Sequence, residues 1–322
     1  MPHFRNGAIV PFRDAKDTIV KMGELIGRGS QGDVYEALDI REDRRVAVKH
    51  CYGPYASDRE LFYEKVKLLA ASKPPHPDLC WPIAVSPFTS GGSFLFAMPL
   101  LEGYRALTGV ITGRDPMTED QKAVLAYKIA KIFRSLHSQG FVLGDVSDRN
   151  IRYRIDPKTG EIHVKVIDVD SLSLGGRGSL GMNGSGKYRA PELLLPDPDR
   201  RDGRPGCPTK ESELHAIACL VFRLFVRRHP LDGAYARSFR ADDPEGFLEA
   251  YARNPRFIFD GTDNDPGPVV TAKWERLPRP MQLYFRVAFS QRCLRDKTQR
   301  IGLDELVKCL TLSYRVQDPS SD

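Results

Sequence analysis

Two apolar runs end on carboxylates. FVLGDVSDRN (141–150) carries Asp145, and VKVIDVDS (164–171) carries Asp168. A carboxylate at the end of a buried strand costs free energy unless a cation meets it, so both aspartates call for something positive. VAVK (46–49) poses the mirror problem, because it ends on Lys49, an ammonium that needs an anion. LIGRGSQGDVY (25–35) places Gly27, Gly29 and Gly32 in a GxGxxGxV pattern. Glycines let the backbone come close to phosphate oxygens and turn N–H groups toward them. The pattern alone is weak, since glycines also mark tight hairpins. A dinucleotide site would need a helix next and an acidic residue about 20 positions on for the ribose. Here the strand-like DVYEALDI follows, and Lys49 stands 20 positions after Gly29. That sign suits phosphates.

These groups must be held by particular elements. KMGELIG, DVYEALDI and RRVAVKHCY alternate as strands separated by short turns, the pattern of antiparallel hairpins. SDRELFYEKVKLLAA (57–71) reads as a helix, broken by PPHP, after which LCWPIAV and SFLFAMPLL read as strands. On that helix Glu64 falls between Leu61 and Leu68 at helical spacing, which predicts a shared inward face and makes Glu64 the candidate partner of Lys49. Glu60 shares a face with polar neighbours and reads as solvated; an ordinary surface position is the alternative for Glu64 as well. Beyond residue 102 or so the pattern turns helical. TEDQ (118–121) has the form of a capping box, and Leu125, Ile129, Ile132, Phe133 and Leu136 mark one helix face. NIRYRI and IHVKVID flank DPKTGE as a hairpin. ELHAIACLVFRLF (213–225) is apolar nearly all round and predicts a central buried helix, LDELVKCL (303–310) a final amphipathic one, and the Gly/Ser-rich stretch 171–186 a mobile loop.

Composition narrows the classes. A chain of 322 residues exceeds the size at which one core keeps growing, which predicts two lobes. The longest apolar run, FLFAMPLL (94–101), is too short to span a bilayer, and the first 20 residues show no leader pattern. The expectation is a cytoplasmic protein with no membrane partner. Six scattered cysteines at 51, 80, 207, 219, 293 and 309 lack metal-ligand spacing and read as reduced thiols. The net charge of +6 is spread without a basic stripe, which argues against nucleic acid and suits a polyanionic small ligand.

Taken in order, Gly27–Val34, VAVK with Lys49, Asp145-x-x-x-x-Asn150, Asp168 and Ala190-Pro191-Glu192 resemble a eukaryotic-like protein kinase of the Ser/Thr type, over roughly residues 20–312. HPDL (76–79), SLHSQG (135–140) and DKTQRI (296–301) also look like their kinase counterparts. The resemblance implies an α+β, bilobal kinase fold. An N-terminal extension (1–20) would precede a sheet-rich N-lobe (21–98), a hinge (99–104), a helical C-lobe (105–312) and a tail (313–322). It implies ATP and Mg²⁺ as cofactors. Asp145 would orient the substrate hydroxyl and take its proton; Asn150 and Asp168 would hold the metal; Lys49, set by Glu64, would hold phosphates. The nucleotide would lie against Gly27, Gly29, Ser30, Gly32, Val34 and Ala47. Met98 would be gatekeeper, with the carbonyl of Pro99 and the N–H of Leu101 toward adenine. Glu192 and Arg300 resemble the family's structural ion pair, and Ser179 and Ser185 are candidate autophosphorylation sites.

The chain departs from the kinase pattern at several positions. Gly144 stands where many kinases have an arginine that pairs with a phosphorylated loop, which implies activity independent of loop phosphorylation. Leu143 replaces a histidine and Val169 a phenylalanine, both keeping the positions apolar. Asp170 replaces a glycine, and is read here as facing a backbone amide rather than a metal. Ser147 replaces a lysine, so Arg149, and with it a catalytic role, is the candidate for the missing positive charge. Glu213 replaces a helix-starting aspartate and would still cap the catalytic-loop backbone. Ser185 before the APE segment argues for Ser/Thr hydroxyls as acceptors. FIFDGTDNDPGP (257–268), CWPIAV and LEGYRALTGV resemble bacterial kinases of tellurite-resistance-type gene clusters, which implies a von Willebrand-type protein and a metal-dependent phosphatase as partners beside the protein substrate. Two alternatives stay open. GDVSDRN…IDVD also resembles small-molecule phosphotransferases of the aminoglycoside and choline kinase type, which usually lack the glycine loop and APE. An ATP-binding pseudokinase is the other.

Overall fold

The structure is a computed structural model and describes residues 4–14, 17–29, 31–52, 59–174, 186–261 and 266–316. Ser30, Ser179 and Ser185, and part of the 257–268 stretch, lie outside the described residues. The chain divides into two compact units. One comprises Met1–Tyr104 with Ile167–Asp170, the other Arg105–Val166 with Ser171–Asp322.

The first unit is built on an antiparallel sheet of β1 (Ile9–Pro11), β2 (Ile19–Gly29), β3 (Gly32–Asp39), β4 (Arg44–Cys51), β5 (Ala84–Val85) and β6 (Phe94–Pro99), in the order β1-β2-β3-β4-β6-β5. Part of the segment expected as an N-terminal extension is thus a strand of this sheet, and Phe12 and Thr18 beside it are buried. Strand residues alternate faces, and the two faces carry different cores. Val46, Val48, Leu95 and Ala97 pack with Phe12, Val20, Met22, Tyr35 and Ala37 on one side. Cys51, Phe94, Phe96 and Met98 pack on the other with helix α1 (Arg59–Ala71) through Phe62, Tyr63, Val66 and Ala70.

The face of α1 differs from the sequence expectation. Leu61 and Leu68 do share a face with Glu64, but that face points to solvent, with the leucines 59% and 70% exposed. Burying an apolar side chain contributes roughly 1.5–3 kcal/mol, so a stripe of two aromatics, a valine and an alanine outweighs two leucines.

The second unit contains β7 (Arg105–Ala106), α2 (Thr108–Thr112), α3 (Glu119–Ser138), β8 (Phe141–Val142), β9 (Ile151–Ile155), β10 (Ile162–Val166), β11 (Ser173–Leu174), α4 (Lys210–Val226), α5 (Ala234–Arg237), α6 (Pro244–Leu248), α7 (Pro268–Glu275), α8 (Arg279–Ala288), α9 (Gln291–Arg295) and α10 (Leu303–Ser313). Thr118 and Gln121 form the capping box that starts α3, and Leu125, Ile129, Ile132, Phe133 and Leu136 are all buried, as the spacing predicts. α4 is buried along nearly its whole length and starts on a second capping box, Thr209 with Ser212. β9 and β10 form the expected hairpin, β7 pairs with β9, and β8 pairs with β11. Arg300 donates to both Glu192 oxygens at 2.7 and 2.6 Å, the structural pair expected. The cysteines among the described residues are free thiols. No helix among the described residues is long and apolar enough to cross a membrane.

Candidate active site

In the first unit the strand registers assemble a row of expected nucleotide contacts. Gly27 lies opposite Val34, Val34 opposite Lys49, Lys49 opposite Phe96, and Ala47 opposite Met98. Opposed residues share a face, so Gly27, Val34, Ala47, Lys49 and Met98 lie on the α1 side of the sheet. Pro99 ends β6 and is exposed, and Leu101 follows it, half-buried. The glycines have different reasons. A Cβ on Gly32 would sit 1.9 Å from the His50 carbonyl oxygen, so glycine there permits the close approach of β3 and β4. A Cβ on Gly27 or Gly29 would meet nothing nearer than 3.7 or 3.5 Å. Among the described residues no packing demands glycine at those two positions, and the space beside that backbone is what an approaching phosphate requires.

Lys49 is buried, and its Nζ donates to Asp170 Oδ2 at 2.6 Å and to Asp168 Oδ1 at 3.3 Å. Burial would lower the ammonium pKa, but the charges of Asp170 and Asp168 outweigh it and hold Lys49 above its usual range. The two aspartates are unlike. The Asp168 side chain is 42% exposed and that of Asp170 only 2%. Asp168 sits at φ +56°, a left-handed conformation that aspartate tolerates better than most residues and that tends to persist where a site fixes the backbone.

Two expectations are corrected here. Glu64 does not meet Lys49: it is exposed and paired with Lys67 at 3.3 Å, because the aromatic stripe of α1 turns it outward. Asp170 faces the ammonium, not a backbone amide. The signal available in the sequence is a second carboxylate two residues from the first, beside a single buried ammonium. Next to Glu64, Lys65 turns its side chain inward. Its buried Nζ has no hydrogen-bond partner among the described residues, and burial lowers its pKa to about 8 against the opposing charge of Asp170.

In the second unit the loop after β8 carries Asp145 and Asn150. Asn150 Nδ2 donates at 3.0 Å to both the Asp145 carbonyl and Asp145 Oδ2, which fixes the carboxylate. The loop is anchored from α4. Glu213, 2% exposed, accepts from the Gly144 N–H at 2.8 Å, with His137 Nε2 2.8 Å from its other oxygen. This is the capping role expected of Glu213. Gly144 has φ +87°, a left-handed conformation in which a side chain would be strained, so glycine suits this turn of the loop. Leu143, Val146 and Ser147 are buried, as is Val169 in the first unit.

Asp148 is 3.7 Å from Arg223, which also meets the Tyr188 hydroxyl. Arg189 feels the charge of Asp145: burial lowers the Arg189 pKa and Asp145 opposes that. Arg149 is exposed. Sequence reasoning missed the Asp148–Arg223–Tyr188 group, because nothing in the local pattern links residues so far apart.

A family model described as protein kinase domain matches residues 20–308. The Serine/threonine-protein kinase PrkC of Bacillus subtilis (strain 168) is 28% identical over 221 residues, 66% of this chain and 31% of that protein. The Serine/threonine-protein kinase PknD of Mycobacterium tuberculosis (strain CDC 1551 / Oshkosh) is 24% identical over 238 residues, 72% of this chain and 32% of that protein. Protein kinase YegI of Escherichia coli (strain K12) is 25% identical over 291 residues, 85% of this chain and 42% of that protein. The chain spans about a third of the length of the first two relatives. With a glycine hairpin, a carboxylate-bound lysine and an asparagine-held aspartate in the family's order, and a family match running over nearly its whole length, this chain belongs to the protein kinase domain family.

Proposed function

We propose that this chain is an ATP- and Mg²⁺-dependent kinase that phosphorylates Ser/Thr hydroxyls of proteins, itself included. The observation that carries this reading is Lys49, a buried ammonium between two carboxylates on the sheet face that also holds Gly27, Val34, Ala47 and Met98. A nucleotide triphosphate with its metal fits these residues: an ammonium for phosphate oxygens, an exposed carboxylate on Asp168 for a cation, and uncrowded glycine backbone. Asp168 and Asn150 would hold the metal, which when bound offsets the charge gathering on the phosphates. Lys49 holds phosphate oxygens. Asp145, oriented by Asn150, accepts the proton of the attacking hydroxyl. Arg149, exposed on the same loop, is the proposed source of the positive charge that Ser147 cannot supply.

Gly144 leaves no side chain to bind a phosphorylated loop, so turnover does not require loop phosphorylation. Through the resemblance of 257–268, the proposed partners include a von Willebrand-type protein and a metal-dependent phosphatase. The test follows labelled phosphate from ATP into the chain and a generic protein, against a panel of amino alcohols and sugars. Protein incorporation is expected, with Asp145→Asn lowering turnover about 10²–10⁴-fold while nucleotide affinity holds. Label entering only small molecules would overturn the protein-kinase reading, and nucleotide binding with no transfer at all would mark a binding module.

A further inference from the structure

Lys49 touches two carboxylates that differ in every respect that bears on their roles. Asp170 is closer, at 2.6 against 3.3 Å, and is sealed from solvent, while Asp168 is 42% exposed. A buried carboxylate stripped of its cation is costly, whereas an exposed one can exchange a cation at little cost. The bond to Asp170 is therefore the permanent one, and Asp168 is the member able to turn to a metal. Helix α1 supplies no competing anion, since Glu64 is spent on Lys67 at the surface and the inward position belongs to Lys65. All of these residues belong to one compact unit.

We propose that Asp170 is the positioning residue for Lys49, taking the place that the resemblance gives to a glutamate of α1. Its bearing on phosphoryl transfer rests on the function proposed above; the pairing itself does not. Two consequences follow. Glu64 is dispensable. The activity also needs no inward movement of α1, because the anchoring anion sits two residues from Asp168 on a single 3-10 turn (Val169–Ser171) rather than on α1.

The experiment is a double-mutant cycle with two readouts. In the nucleotide-free protein, Asp170→Asn leaves the buried ammonium with only the longer contact to the exposed Asp168 and is expected to lower the melting midpoint by more than about 4 °C. Lys49→Met combined with Asp170→Asn recovers at least half of that loss, because no buried charge is left unpaired and Asp168 is 42% exposed to solvent. Glu64→Ala shifts the midpoint by less than about 1 °C. In steady-state transfer, Asp170→Asn lowers kcat/KM for ATP about 10²-fold, Asp170→Glu restores part of it, and Glu64→Ala stays within about threefold of wild type. Additive melting shifts for Lys49 and Asp170, or a Glu64→Ala loss as large as that of Asp170→Asn, would overturn the proposal. If the wild-type chain transfers no phosphate, the proposed function fails while the melting cycle still decides the pairing.

Discussion

Glu213 offers a direct test of how the catalytic loop is held. Its carboxylate is 2% exposed, accepts the Gly144 N–H at 2.8 Å and lies 2.8 Å from His137 Nε2. Hydrogen bonds to a charged acceptor contribute roughly 1.5–3 kcal/mol each, so Glu213→Ala forfeits on the order of 3–6 kcal/mol of gross interaction. Removing a buried carboxylate returns part of that as relieved desolvation, leaving a net loss of about 3–4 kcal/mol. For a chain of this size each kcal/mol moves the melting midpoint by roughly 2 °C, so calorimetry should show a drop of about 6–8 °C. Glu213→Gln keeps an acceptor for Gly144 and should lose about half as much. Gly144 immediately precedes Asp145, so the Ala variant should also lose kcat by about 10-fold or more while KM for ATP, whose proposed phosphate and adenine contacts lie in the first unit, stays within about twofold. A melting shift under about 1 °C with unchanged kcat would refute the claim that α4 organises the loop.

The other predictions concern the glycine hairpin and acid stability. Gly32→Ala drives a methyl into the His50 carbonyl oxygen and should cost about 2 kcal/mol or more in denaturant unfolding. Gly29→Ala, with its nearest contact at 3.5 Å, should leave folding within about 0.5 kcal/mol and weaken nucleotide binding instead. Burial lowers the His229 pKa to about 3, against a smaller upward effect from the bond to the Lys187 carbonyl, and burial pushes His215 down as well. The unfolded chain therefore binds more protons between pH 6.5 and about 3, and stability should fall as pH drops through that window. His229→Gln should flatten the fall, and an unchanged pH profile would contradict the assignment.

The sequence carried the fold where the signal was local. The α3 capping box, its five-residue buried face and the β9–β10 hairpin each follow from a few adjacent residues. The glycine pattern followed by a strand was also legible, because the reading needed only the next element. The partner of Lys49 was not. That choice depended on which face of α1 wins burial, a competition between the Phe62–Tyr63–Val66 stripe and the Leu61/Leu68 pair that both have helical spacing. It also depended on where a carboxylate 121 residues away arrives, which no local pattern encodes. The proximity of Arg189 to Asp145 was hidden for the same reason, since the two stand 44 residues apart in the chain.

The most direct test is Mg·ATP autophosphorylation with phosphosite mapping, wild type beside Asp168→Ala. The account predicts phosphoserine or phosphothreonine in the wild-type chain, Ser179 and Ser185 being the candidate sites, and none in the variant. Equal labelling of both proteins, or no labelling and no nucleotide binding by either, would contradict it.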